Sequence, residues 1–234
     1  MDAPAREFLD LVLALGLRVA VFDCDDTLWS GDSGREFLYW ELKHGLLPGP
    51  IAAWAKRRYD CYLEGKVSEE DMCGEMVTIH QGVREADIVA AAEVFFREHC
   101  EGNIFPEMRE VTGALLSAGC QVWAVSSTNE WVVRAGARRF GIPAGRVLAA
   151  CVHIEDGCAT GTLDEVPTDE GKAASIRRHI PGRVDAVFGN SIHDLQMLEL
   201  ARHPFVINPT LELLAIARER GWPVYVPAAA RGKS

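Results

Sequence analysis

The chain has no apolar run long enough to cross a bilayer, no C-x-x-C pair, no low-complexity tract and no internal repeat. The first absence argues against a membrane-spanning helix. The second removes the usual zinc and dithiol signatures. Seven cysteines remain, an odd number. They read as buried free thiols in a reducing cytoplasm, with disulfides or a zinc site as the alternative. Positive charge is scarce as well: 24 Lys and Arg against 34 Asp and Glu leave a net charge of -10. Bulk charge therefore argues against nucleic-acid binding. Residues 1–17 lack a basic start and read as a short amphipathic helix, not a signal peptide. What is present is ordinary globular material, 234 residues of which 48% are hydrophobic. That suffices for one large domain, or a domain with an insertion.

The most informative stretch is Val19-Ala20-Val21-Phe22-Asp23-Cys24-Asp25-Asp26-Thr27-Leu28. A β-like apolar run stops in three carboxylates and a hydroxyl. Side chains alternate along an extended backbone, so Asp23 and Asp25 can face one centre while Cys24 turns into the core. Like charges this close raise each other's pKa unless a cation lies between them. The pattern implies a divalent metal, or one of the two acids held protonated.

Apolar strand-like runs recur at 17–22, 121–125, 146–152, 185–188 and 204–207, with an edge strand expected at 223–226. Helical patterns fall at 107–117, 131–140, 171–179, 194–201 and 210–220. This alternation predicts a parallel α/β sheet with crossover helices. Ligands bind such sheets outside the carboxyl ends of the strands. Glu155-Asp156-Gly157-Cys158 reads as a hairpin turn. From about Ser33 to Cys100 the alternation fails: helical periodicity persists without a convincing strand. Such an insertion is either a cap over the acidic strand end or extra helices on the sheet edge.

Three more segments follow expected strands. Ser126-Ser127-Thr128-Asn129 offers hydroxyls and backbone N–H groups to a phosphate, or simply caps the next helix. Lys172 opens a helix, where a lone lysine is ordinarily solvated but would neutralise charge beside a phosphate. Gly189-Asn190-Ser191-Ile192-His193-Asp194 places oxygen donors suited to Mg²⁺ after a glycine, or caps a helix through Asp194.

In order and spacing these four segments resemble the haloacid dehalogenase (HAD) superfamily. Asp23-Cys24-Asp25-Asp26-Thr27 matches its first motif, Ser126 the second, Lys172 the third and Gly189 through Asp194 the fourth. The helical insertion between the first two motifs, with Val206-Ile207-Asn208-Pro209 and Arg220-Gly221-Trp222-Pro223, is similar to subfamily IB, the phosphoserine-phosphatase-like enzymes. The resemblance implies a three-layer Rossmann-like core formed by residues 1–30 and 101–234, with an all-helical C1 cap at 31–100. It implies a Mg²⁺-dependent phosphomonoesterase acting on a small phosphate ester. Asp23 would be the nucleophile that becomes an aspartyl-phosphate, and Asp25 the general acid and base. Thr27, Ser126, Ser127 and Lys172 would hold the phosphate. Asp23, Asp25, Asn190 and Asp194 would serve the metal, Asp25 through its backbone carbonyl.

Two positions depart from the family. Asp26 stands where glycine is frequent. Asn190 stands where relatives carry an aspartate, which takes one negative charge from the metal site. Asp194 would then either reach the metal through water or orient Lys172. For substrate selection the candidates are Asp32, which either meets an ammonium group or caps a helix, and Arg35, Arg57 and Arg58, which either meet an anionic group or are solvated. Trp29, Tyr39, Trp40 and Trp54 are candidates for an aromatic pocket or for core packing. Rival functions are a phosphotransferase or mutase with the same intermediate and a non-catalytic phosphoryl-ligand binder that Asn190 would favour. A dehalogenase is a third, disfavoured by the Asp23/Asp25 pair.

Overall fold

The computed structural model describes residues 2–232. Seven strands form one sheet in the order β4-β3-β2-β1-β5-β6-β7. The strands are β1 (Val19–Phe22), β2 (Gln121–Asn129), β3 (Val147–Glu155), β4 (Cys158–Glu165), β5 (Ala186–Gly189), β6 (His203–Ile207) and β7 (Val224–Tyr225). All pair in parallel except β4, which returns antiparallel to β3. The β3–β4 turn lies where the sequence places it. Asp156 and Gly157 both adopt positive φ, 50° and 76°, as a two-residue hairpin requires.

Side-chain alternation on the strands sorts the helices into two layers. Ala20 and Phe22 point to one face, which packs against α1 (Ala3–Leu13), α6 (Pro106–Ser117) and α7 (Glu130–Ala137). Val21, Val125, Val187 and Val206 point to the other, covered by α8 (Glu170–His179), α9 (Leu195–Leu200) and α10 (Leu211–Arg220). Both faces of the sheet are therefore buried, and the chain is a three-layer α/β fold. On the first face Phe22, Phe188 and Phe205 lie in register on β1, β5 and β6. Their rings stack at centroid distances of 4.1 and 4.8 Å. This ladder anchors the strands whose ends carry the acids. Among the described residues no helix is long and apolar enough to cross a membrane.

Between β1 and β2 the chain is helical: α2 (Ser33–His44), α3 (Gly49–Leu63), α4 (Glu69–Thr78) and α5 (Glu85–Phe95), then a π-turn at Phe96–Cys100. Leu38, Leu47, Ala55, Tyr59, Met72 and Met76 form a separate apolar cluster here. Phe37, Ile88, Phe95 and Phe96 instead join the main core. The insertion thus has an outer half with its own core and an inner half rooted in the sheet layer.

Phe188→Ala should cost about 3–5 kcal/mol, because the rings on both sides lose their partner and the strands hold the gap open. Urea unfolding would measure it. An unchanged midpoint would mean the ladder carries no stability.

Candidate active site

β1 ends at Phe22, and its ladder reaches one step further: Asp23 N–H donates to the Phe188 carbonyl at 2.8 Å. The chain then coils, with the Cys24 carbonyl accepting from the N–H groups of Thr27 and Leu28. Cys24 is fully buried in the core. Asp26 sits at φ 55°, a conformation that favours glycine, and offsets it by accepting from Gly31 N–H at 3.0 Å.

The Asp23 carboxylate is held on both oxygens. Lys172 Nζ donates to Oδ1 at 2.8 Å, and Thr27 Oγ1 donates to Oδ2 at 3.1 Å. The same ammonium donates to Asp194 Oδ1 at 2.6 Å. Asp194 Oδ2 accepts from the N–H groups of Asn190 (2.8 Å) and Ser191 (3.0 Å). Gly189 makes this possible, because a Cβ there would lie 2.7 Å from the Asp194 Cβ.

Asp25 accepts three hydrogen bonds. Trp29 Nε1 (2.7 Å) and Ser33 N–H (2.9 Å) donate to Oδ1, and Thr128 Oγ1 donates to Oδ2 (2.9 Å). Thr128 comes from a break in β2. Its register with β3 slips between Val125 and Asn129, a bulge that turns Ser126, Ser127 and Thr128 into the cavity. That is why the apolar pattern stops at Val125 while the strand continues to Asn129. Helix capping falls to Asn129, whose Oδ1 accepts from Val132 N–H.

These groups surround a cavity of about 240 Å³, lined on the sheet side by Asp23, Asp25, Ser126, Lys172, Asn190 and His193. Helices of the insertion supply the other wall through Asp32, Arg35, Tyr59, Tyr62, Glu69 and Met72. Burial pushes the Asp23 carboxyl up to about 7; Asp194 adds to the rise and Lys172 opposes it. Burial likewise raises Asp25 to about 6, with Asp32 adding and the Ser33 and Thr128 donors opposing. Burial works to lower the Lys172 pKa, but Asp194 and Asp23 outweigh it and hold the ammonium above its ordinary range.

Several expected residues stand apart from the cavity. Arg58 does not line it: its guanidinium forms a double hydrogen bond with Glu75 at 2.6 and 2.8 Å. Thr27 and Asp194 are fully buried behind it, their side chains engaged with Asp23 and Lys172. Asp194 presents neither oxygen to the cavity surface directly: Oδ1 accepts from Lys172 and Oδ2 from the Asn190 and Ser191 N–H groups, a contact that orients Lys172. The Ser127 hydroxyl donates to the Pro167 carbonyl at 3.2 Å. Asp32 caps α2 by accepting from Arg35 N–H at 2.9 Å, yet still lines the cavity. Of the aromatic candidates, Trp29 is core, and Tyr39, Trp40 and Trp54 are not lining residues. Tyr59, Tyr62, Glu69 and Thr128 were not singled out by the sequence. Only Thr128, inside the quoted hydroxyl run, carried a signal.

A cation fits this donor set. Asp23 and Asn190 bring hard oxygens to one cavity, the buried acids Asp23 and Asp194 share a single ammonium, and Asp25 adds a third carboxylate to the lining. Among the described residues no three His, Cys, Asp or Glu side chains form a closed metal cage.

Fold and site together define a class: three-layer α/β proteins with a carboxylate pair after the first strand and a lysine–aspartate pair from later crossovers. The chain belongs to the haloacid dehalogenase-like hydrolase family, whose model matches residues 20–199. It is 29% identical over 215 residues to a protein named phosphoserine phosphatase in Mycobacterium tuberculosis, covering 88% of this chain and 69% of that one. It is 25% identical over 217 residues to a histidinol-phosphatase of Neisseria meningitidis serogroup C, covering 88% of this chain and 97% of that one. A solved structure of a protein of unknown function from Bordetella pertussis Tohama I matches with a TM-score of 0.79 at 26% identity, covering 89% of this chain and 98% of that one.

Gly189→Ala should destabilise the protein by about 1–3 kcal/mol, since the new methyl has to displace the Asp194 side chain from its donors. Thermal or urea denaturation measures this. No loss would show that the loop yields without cost.

Proposed function

We propose that the protein is a Mg²⁺-dependent phosphomonoesterase of the phosphoserine-phosphatase-like kind, working through an aspartyl-phosphate on Asp23. The observation that carries this reading is the buried Lys172 ammonium joining Asp23 to Asp194 in the wall of a cavity that also holds Asp25 and Ser126. The names of the relatives, phosphoserine phosphatase and histidinol-phosphatase, support a phosphate ester as substrate.

In this reading a phosphate ester enters against Lys172 and the Ser126 segment, which take up part of its negative charge. An Asp23 carboxylate oxygen attacks phosphorus in line with the ester oxygen. The bond from phosphorus to that oxygen breaks, and Asp25 gives it a proton. Asp25 then takes a proton from water, which attacks phosphorus and releases phosphate from Asp23. A carboxyl raised to about 6 is matched to this alternation near neutral pH. Asp194 positions Lys172. The Asp23 carboxylate, the Asp25 backbone carbonyl and the Asn190 amide oxygen would hold Mg²⁺, which supplies charge neutralisation for the incoming dianion.

The helices of 31–100 act as the cap that closes over the leaving group. The free thiols suit a reducing cytoplasm. A second reading, a phosphoryl-ligand binder without turnover, draws on Asn190 alone. Transfer to an alcohol instead of water would use the same residues, and adding alcohols to the assay separates the two outcomes.

Hydrolysis of p-nitrophenyl phosphate with Mg²⁺ should fall on the order of 10⁴-fold or more in Asp23→Asn. If the native protein releases no phosphate, the binder reading prevails. Asn190→Asp should restore a charge to the cation site and lower the Mg²⁺ concentration at half-maximal activity. A titration that does not move would count against Asn190 as a ligand.

A further inference from the structure

One buried ionisable pair lies outside the cavity. Glu41 on α2 and His80, in the turn between α4 and α5, are both fully enclosed, and His80 Nε2 lies 2.8 Å from Glu41 Oε2. His80 Nδ1 faces the Val77 carbonyl at 3.2 Å. A carbonyl only accepts, so Nδ1 carries a proton, and Nε2 and the Glu41 carboxyl share one more. The imidazole makes a T-shaped contact with Trp131 on α7, ring centroids 5.0 Å apart, and stacks beside Phe37 at 6.4 Å.

Residues four apart share one side of a helix, and Ser33, Phe37 and Glu41 form such a row along α2, all buried. The row is fixed at both ends. At the first turn Ser33 N–H donates to Asp25 Oδ1 at 2.9 Å, and Gly34 packs against the Thr128 hydroxyl that donates to Asp25 Oδ2. About 12 Å further along the axis, at 1.5 Å per residue, Glu41 meets His80. Enclosing a polar pair is costly, and the best-attested use of such a pair is to fix the register of a helix. Apolar packing alone would leave α2 freer to slide or turn.

We propose that Glu41 and His80 are positioning residues for Asp25: together they fix the setting of α2, and with it the Ser33 donor that holds the proton-transferring carboxyl. This rests on the phosphatase reading and extends it. Neither residue lines the cavity, so the effect falls on proton transfer and not on substrate contact.

The test compares phenyl phosphate with p-nitrophenyl phosphate. The two share a ring, but nitrophenolate departs readily without a proton and phenolate does not. Asp25→Asn should lower kcat/KM on phenyl phosphate about 100-fold or more beyond its effect on the nitrophenyl ester. Glu41→Leu should show the same selective loss at about 10-fold, with KM little changed. Glu41→Gln, whose amide can still bond Nε2, should restore the native ratio. His80→Phe keeps a ring against Phe37 and Trp131 but offers no donor, and should behave like Glu41→Leu. Circular-dichroism melts report whether each variant is folded. A loss equal on both esters, or no loss, would overturn the assignment. So would failure of both Glu41→Leu and His80→Phe to fold, which would make the pair a stability element. If the native enzyme hydrolyses neither ester, or Asp25→Asn leaves the ratio unmoved, the underlying phosphatase reading falls. A ratio that moves in Asp25→Asn but in neither Glu41→Leu nor His80→Phe sinks the positioning role alone.

Discussion

One ammonium joins three distant parts of the chain. Lys172, at the start of α8, lies between Asp23 at the end of β1 and Asp194 after β5, all three side chains nearly inaccessible to water. A buried charge is tolerated only when its partners and hydrogen bonds are complete. Here they are: Asp194 takes two backbone N–H groups besides the lysine, and Asp23 takes the Thr27 hydroxyl. Removing the lysine would leave two carboxylates facing each other in low dielectric, so the sheet ends, the loop after β5 and the start of α8 share one electrostatic constraint. The triad still carries one negative charge in excess, and Asp25 adds another nearby. Burial first, and that excess second, raise the Asp23 pKa, and the excess makes the cavity receptive to a cation.

Asp25 links this centre to the helical insertion. Its donors come from Trp29, from Ser33 at the start of α2, and from the bulged end of β2. Gly34 brings α2 close: a Cβ there would lie 2.8 Å from the Thr128 hydroxyl that holds Asp25. The proposed proton donor is therefore positioned jointly by the core and by the first turn of the insertion. A shift of α2 would reach Asp25 directly, without passing through the sheet.

Much of this was legible before any coordinates. Two acids after a buried apolar strand, a lysine opening a helix and a glycine-led acidic loop are local signals, and strand ends bring them together. The residues that were not legible depend on partners far away in sequence. Arg58 belongs to Glu75 because α3 and α4 run side by side, which a list of arginines cannot reveal. Trp29 could be read as a pocket aromatic or as core; its ring is core, and what the sequence did not reveal is that its indole N–H serves Asp25. Tyr59 and Tyr62 sit in a helix with ordinary amphipathic spacing, and only the fold of the insertion turns them to the cavity. The β2 extension was hidden because a bulge breaks the alternation that marks a strand.

The asparagine at 190 is compatible with this architecture for a specific reason. Its backbone does the structural work: the N–H donates to Asp194, and the carbonyl accepts from Thr210 N–H at 2.9 Å. Neither contact involves the side chain, so an amide or a carboxylate can occupy the position without disturbing the Lys172 triad. What changes is the charge facing the cavity. With an aspartate there, a fourth acid would join Asp23, Asp25 and Asp194 around the cavity, adding repulsion without a cation and a tighter hold on one that binds. Asparagine relieves that repulsion and, at the proposed metal site, would weaken the hold by the same electrostatics, so stability without metal and affinity for metal would be traded at a single side chain.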